Sequence, residues 1–80
     1  MPATTEQIEK VITDSLVTFG ADADQINRDA ALEALDIDSL DLAELSQIIE
    51  DEFGVQLKGD DVGRIKTVGD AIELVVSRAE

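Results

Sequence analysis

The sequence predicts an all-α fold: a small four-helix bundle with three principal helices, one short helix and a long first loop. Three observations carry that prediction. Apolar residues recur at three- and four-residue spacing in three separate stretches. No stretch alternates with period two and no dipeptide marks a hairpin. Finally, 80 residues suffice for one domain, because chains of this length bury little more than ~60% of the surface they expose when unfolded. With no internal repeat or low-complexity tract to divide it, the chain reads as a single domain over residues 1–80.

Thr4-Thr5-Glu6-Gln7 fits a capping box, and Ile8, Val11, Ile12, Leu16 and Phe19 follow at helical spacing until Gly20. The first helix is therefore expected over Thr5 to Phe19. Ala21 to Ile37 carries Asp22, Asp24, Asn27 and Asp29 among scattered apolar residues and predicts a long connection, with one turn around Ala30 to Leu35. Ile26, Leu32, Leu35 and Ile37 are the residues that would pin it to the core. Asp38 reads as the N-cap of a second helix from Ser39 to Asp51, with Asp41 in the first turn, where the helix dipole favours an anion. Leu42, Leu45, Ile49 and Phe53, with Ile48 beside them, form its apolar stripe, and Gly54 supplies the break. Asp60 to Arg64 has room for one or two helical turns. Thr67 and Asp70 restart a helix in which Val68, Ala71, Ile72, Val75, Val76 and Ala79 keep helical spacing to the C-terminus.

Composition removes whole classes of function. Nineteen Asp and Glu against six Lys and Arg leave a net charge of −13, which repels nucleic acid and anionic lipid and favours partners with basic surfaces. The absence of Cys removes disulfides, zinc-thiolate sites and thiol nucleophiles; the absence of His removes the usual general base and neutral-pH metal ligand. A self-contained enzyme and a metal site are accordingly not expected. Two frames of a calcium-binding loop, counted from Asp22 and from Asp36, both fail, at Ile26 and Asn27 in the first and at Leu40, Asp41 and Gln47 in the second. No apolar run approaches the ~18 residues of a membrane span, and MPATTEQIEK lacks a signal-peptide core. The expectation is a soluble, cytoplasmic monomer.

Of the four serines, Ser15, Ser46 and Ser77 fall inside expected helices. Ser39 sits instead just after an Asp cap, at the exit of a long polar loop, where its hydroxyl is exposed and backbone N–H groups favour a phosphate ester. Around it stands L-D-I-D-S-L-D-L-A-E-L, Leu35 to Leu45, which resembles the attachment segment of acyl carrier proteins. The resemblance extends through I-I-E-D-E-F-G-V (Ile48 to Val55) and R-I-K-T-V-G-D-A-I (Arg64 to Ile72), and so covers essentially the whole chain.

The resemblance implies that a phosphopantetheinyl transferase esterifies Ser39 with 4′-phosphopantetheine from coenzyme A, and that the arm's thiol carries acyl groups as thioesters. A chain without Cys then obtains a thiol on a prosthetic group, and needs no base of its own to activate the serine. Asp38, adjacent to the attachment residue, is implied to contact a divalent ion during transfer. Leu40, Asp41, Glu44, Gln47, Glu50 and Asp51 correspond to the partner-docking face for the transferase, ketosynthase, acyltransferase and other synthase enzymes. First-turn acids such as Asp38 and Asp41 also have a purely structural use at the dipole; acids at Glu50, Asp51 and Glu52 near the helix C-terminus do not. Between Arg28 and Lys58 lie nine acids and no base. Leu45, Ile49, Phe53, Ile65, Val68, Ala71 and Ile72, which shift apart without orphaning a polar group, are expected to shelter the acyl chain. Two departures stand out. Asp36 occupies a position commonly Gly in that family, and Gln47, with Ala43 nearby, makes the docking face less apolar than usual. The function implied is a discrete carrier of fatty-acid or polyketide intermediates; a peptidyl or aminoacyl carrier and an unmodified acidic adaptor are the alternatives.

Overall fold

A computed structural model describes residues 4–79. Four helices, α1 (Thr5–Thr18), α2 (Ser39–Phe53), α3 (Gly59–Arg64) and α4 (Val68–Ala79), form a small bundle, and single 3₁₀ turns stand at Ala23–Gln25 and Glu33–Leu35. The all-α, four-helix expectation therefore holds. Residues 1–3 and Glu80, the ends of the N-terminal stretch and of the fourth helix as read from sequence, lie outside the described residues.

Each boundary has a local cause. At α1 the Thr4 hydroxyl accepts from Gln7 N (3.1 Å) while the Gln7 amide oxygen accepts from Thr4 N (2.9 Å). The helix closes at Thr18, one residue short of the expectation, because the chain turns there: Ala21 N donates back to Leu16 O (3.0 Å) across Gly20, whose φ of +109° a side chain would oppose. α2 runs two residues beyond Asp51, because nothing interrupts it before Gly54 at φ +70°, whose N–H donates to Glu50 O. At α4, Thr67 Oγ1 accepts from Asp70 N and Asp70 Oδ2 accepts from the N–H groups of Thr67 (3.1 Å) and Lys66 (3.2 Å). Those donors hold the Asp70 carboxyl below the usual carboxylate range, Thr67 N–H foremost.

α1 packs chiefly on α4 and also on α2, and α2 touches α3. Ile8, Ile12 and Leu16 of α1, Leu45 and Ile49 of α2, and Val68, Ala71, Ile72 and Val75 of α4 are buried in one aliphatic core. The long connection contributes Leu32, Leu35 and Ile37 as buried pins and Ile26 as a half-buried one. It is also fastened by backbone. Leu32 N donates to Lys66 O (2.9 Å), Val68 N to Ala30 O (3.0 Å) and Gly69 N to Arg28 O (2.9 Å), around a single antiparallel bridge between Ala31 and Thr67. A Cβ at Gly69 would stand 2.9 Å from Arg28 O, so this seam admits only glycine there without movement. On the other side the Arg28 guanidinium reaches the Glu9 carboxylate of α1 at 3.2 Å.

α3 is anchored by an ion pair that no sequence pattern announces. Asp61, 7% exposed, accepts from Arg78 Nη2 of α4 at 2.6 Å and from Lys58 N at 3.1 Å. The Lys58 N–H first, and the Arg78 guanidinium second, hold its carboxyl below the usual range.

Candidate cofactor-attachment site

Ser39 is the first residue of α2 and is exposed. Its neighbours settle how that helix end is satisfied. The Asp38 carboxylate accepts from Asp41 N (3.0 Å), and Asp41 Oδ2 accepts from Asp38 N (3.4 Å), a reciprocal capping box. The box serves the cap and the third helical residue. It leaves the N–H groups of Ser39 and Leu40 with no acceptor among the described residues. Two free donors at the positive end of a 15-residue helix, beside an exposed hydroxyl, suit an oxygen ester of phosphate. The other serines differ. Ser15 Oγ donates to Val11 O (2.7 Å) and Ser46 Oγ to Leu42 O (2.9 Å), each spent inside its helix, and Ser77 lies in the last turns of α4, at the negative end of that dipole. The residues at Ser39 thus fit a phosphodiester-linked group.

The loop that presents Ser39 is set by Asp36, at φ +60° and ψ +30° the one non-glycine residue of positive φ among the described residues. At this departure from the expected glycine the backbone takes a left-handed turn, and an aspartate occupies it. Asp36 N donates to Glu33 O (3.1 Å) and Ile37 N to Leu32 O (3.0 Å), so the turn closes the 3₁₀ segment and aims the chain into α2.

Outward from this point, Leu40, Glu44, Gln47 and Asp51 follow one another at four-, three- and four-residue steps and share one exposed face of α2. Leu40 is 75% exposed, the most exposed of the large apolar side chains described. Asp41 is half-buried at the edge of that face, where it belongs to the capping box. Glu50 accepts from the Gln56 amide (3.3 Å) and Asp51 from the Gln47 amide (3.2 Å). Glu44 and Glu52 have no hydrogen-bond or ion-pair partner among the described residues.

On the inward side, Leu45, Ile49, Val68, Ala71 and Ile72 are buried and closely packed, with Phe53 half-buried at their edge. Beside them lies a recess of about 480 Å³ between the Glu33–Leu35 turn, the first turns of α2 and the α3–α4 link. Ala31, Leu32, Glu33, Leu42, Ile65 and Lys66 line it, so Ile65 alone is shared with the expected acyl-chain residues. Sequence reading had no means of finding Ala31, Glu33 or Lys66. They meet only because the loop is zipped to the α3–α4 link, and no periodicity encodes that seam. Among the described residues no group of carboxylates is disposed to hold a metal ion, and no helix is long and apolar enough to cross a membrane.

Comparison with known proteins gives one consistent answer. An acyl carrier protein from Enterococcus faecalis, studied for its high thermal stability, is 28% identical and superposes with a TM-score of 0.81 over 95% of this chain and 99% of its own. The acetyl actinorhodin acyl carrier protein from Streptomyces coelicolor is 27% identical, with a TM-score of 0.71 over 99% of this chain and 93% of its own. Residues 11–75 match the phosphopantetheine attachment site family. That match spans most of the chain, which therefore belongs to the family: it is a carrier protein of the acyl carrier type, and its covalent cofactor is 4′-phosphopantetheine.

Proposed function

We propose that Ser39 is the residue esterified with phosphopantetheine, and that the loaded chain shuttles acyl thioesters among the separate enzymes of a fatty-acid or polyketide type synthase without catalysis of its own. The observation that carries this reading is the pairing of an exposed Ser39 hydroxyl with the two unclaimed N–H donors at the start of α2. When bound, the group supplies a thiol, which this chain otherwise lacks. The chain's own residues present the ester oxygen, steady its phosphate with the helix dipole and offer a docking face.

On that face Leu40 is the apolar contact, and Asp38, Asp41, Glu44, Gln47, Glu50 and Asp51 meet a partner's Lys and Arg side chains. The phosphopantetheinyl transferase, a ketosynthase and an acyltransferase are partners of this description. Exposed charge pairs of this kind contribute ~0.2–1 kcal/mol each, so their effect is on encounter rate and orientation. Leu45, Ile49, Phe53, Ile65, Val68, Ala71 and Ile72 would admit an acyl chain only by parting, because six of the seven are buried in the packed core.

The test is intact mass after incubation with coenzyme A and a transferase. The chain as it stands gains the mass of one phosphopantetheine, and Ser39→Ala, folded by circular dichroism, gains none. A Ser39→Ala chain that still gains it refutes the assignment.

A further inference from the structure

We infer that Asp36 is a specificity-determining residue for cofactor attachment: its carboxylate meets a lysine or arginine of the transferase that loads Ser39, and it takes no part in later acyl transfer. The inference rests on the carrier reading above and adds a residue outside the docking face of α2. Backbone, charge and position point the same way. Asp36 holds φ +60° and ψ +30°, a left-handed conformation that glycine enters freely and that costs other L-residues stability. Aspartate visits this region when its side chain can hydrogen-bond locally. Here it makes no such bond. The bonds at the turn, Asp36 N to Glu33 O and Ile37 N to Leu32 O, are both backbone, and the Asp36 carboxylate has no hydrogen-bond or ion-pair partner among the described residues. That carboxylate is exposed, in a segment with nine acids and no base, so its own stretch of chain offers no counter-charge. A strained residue whose charge is left free suits a contact made outside the fold. Position says which partner makes it. Asp36 stands three residues before Ser39, at most ~11 Å of chain, and Ile37 between them is buried, which fixes the loop against the core. A transferase must bring coenzyme A to the Ser39 oxygen itself, and so covers this loop. An enzyme acting on the thioester works at the far end of the arm and has no need to reach Asp36.

The experiment follows uptake of phosphopantetheine from coenzyme A by intact mass for wild type, Asp36→Asn and Asp36→Gly, each folded by circular dichroism, at low salt and at about 0.5 M salt. It then measures acyl transfer to each chain after loading to completion. Asparagine keeps a side chain suited to the turn, glycine relieves the turn altogether, and both remove the charge. At low salt both variants should load with kcat/KM lower by about two- to fivefold, through KM and with kcat unchanged, and at high salt both should match wild type. Acyl transfer to the three loaded chains should be equal. A wild-type chain that takes up no arm overturns the carrier reading and this inference with it. Where the wild type loads, variants that load as fast, a loss in Asp36→Asn that Asp36→Gly restores, a loss that survives high salt, or an equal loss in acyl transfer would each overturn the assignment and leave the carrier reading standing.

Discussion

Replacing Asp36 separates backbone strain from charge at the attachment loop. The residue holds φ +60° and ψ +30°, a conformation that costs an L-residue ~1–2 kcal/mol and that Asp tolerates better than most because of its short polar side chain. Glycine removes that cost but loses ~0.5–1 kcal/mol more conformational entropy on folding. The backbone balance for Asp36→Gly is thus a gain of ~0.5 kcal/mol. Deleting one negative charge from a chain at −13 adds a few tenths more. The total, ~1 kcal/mol, corresponds to a melting temperature higher by ~4–8 °C for a domain of this size. Asp36→Asn makes the same charge change and keeps a side chain suited to the turn, so it should rise by the electrostatic part alone. Asp36→Ala deletes the charge but keeps a Cβ in the left-handed region without a helpful polar group, and should fall ~1 kcal/mol below the glycine variant. Urea and thermal unfolding of the four proteins under one buffer give the order Gly above Asn above wild type, with Ala well below Gly. An alanine variant as stable as the glycine variant would show that no left-handed turn precedes Ser39.

Gly69→Ala places a methyl group 2.9 Å from the backbone oxygen of Arg28, against a neighbour that cannot rotate away, and should cost ~1–3 kcal/mol in urea unfolding; an unchanged midpoint would mean that the seam between loop and α4 yields freely. Asp61 predicts a pH signature. Its carboxyl is held below the usual range in the folded chain, so the stability it confers is complete above the ordinary unfolded value near ~4 and is lost as pH falls through the lower folded value. The stability gap between wild type and Asp61→Asn should therefore be widest at neutral pH and narrow below ~4; a gap constant from neutral to acid pH would refute the linkage.

Most of this architecture was legible because short-range rules govern it. The caps at Thr4, Asp38 and Thr67 and the breaks at Gly20 and Gly54 are local, and the apolar stripes of α1, α2 and α4 need nothing beyond a period. What escaped depends on contacts distant in sequence. Asp61 and Arg78 are 17 residues apart on different helices, and the seam of Ala30 and Leu32 on Lys66 and Val68 pairs strands too short to leave an alternating pattern. The recess inherits that blindness, since three of its six walls come from the seam. Asp36 is instructive in another way. It stands where the resemblance leads one to expect glycine, yet it holds a left-handed turn, with the bonds from Asp36 N to Glu33 O and from Ile37 N to Leu32 O fixing the backbone on either side.

The acids of α2 can now be divided by what each does in the folded chain. Asp38 and Asp41 satisfy the helix start, and Glu50 and Asp51 accept from glutamine amides. Glu44 does none of this: it is exposed on the same face as Leu40, without a partner, in a segment with nine acids and no base. Its charge therefore adds only repulsion to the fold, which suits the docking role proposed for it. Asp41→Lys would confound the two effects, because it also breaks the capping box. Glu44→Lys keeps the box, and it places a cation where helical neighbours Asp41 and Gln47 offer an i−3 partner and a neutral one. Stability and function should then move in opposite directions. The melting temperature should rise slightly, by the relief of repulsion, while kcat/KM for acyl transfer with basic-surfaced partner enzymes should fall, about two- to fivefold at low salt for a pair worth ~0.5–1 kcal/mol. Salt should erase both changes within a Debye length of ~10 Å at 0.1 M. A Glu44→Lys chain that loses stability and transfers normally would contradict both expectations, and the acid would then belong to the fold and not to the docking face.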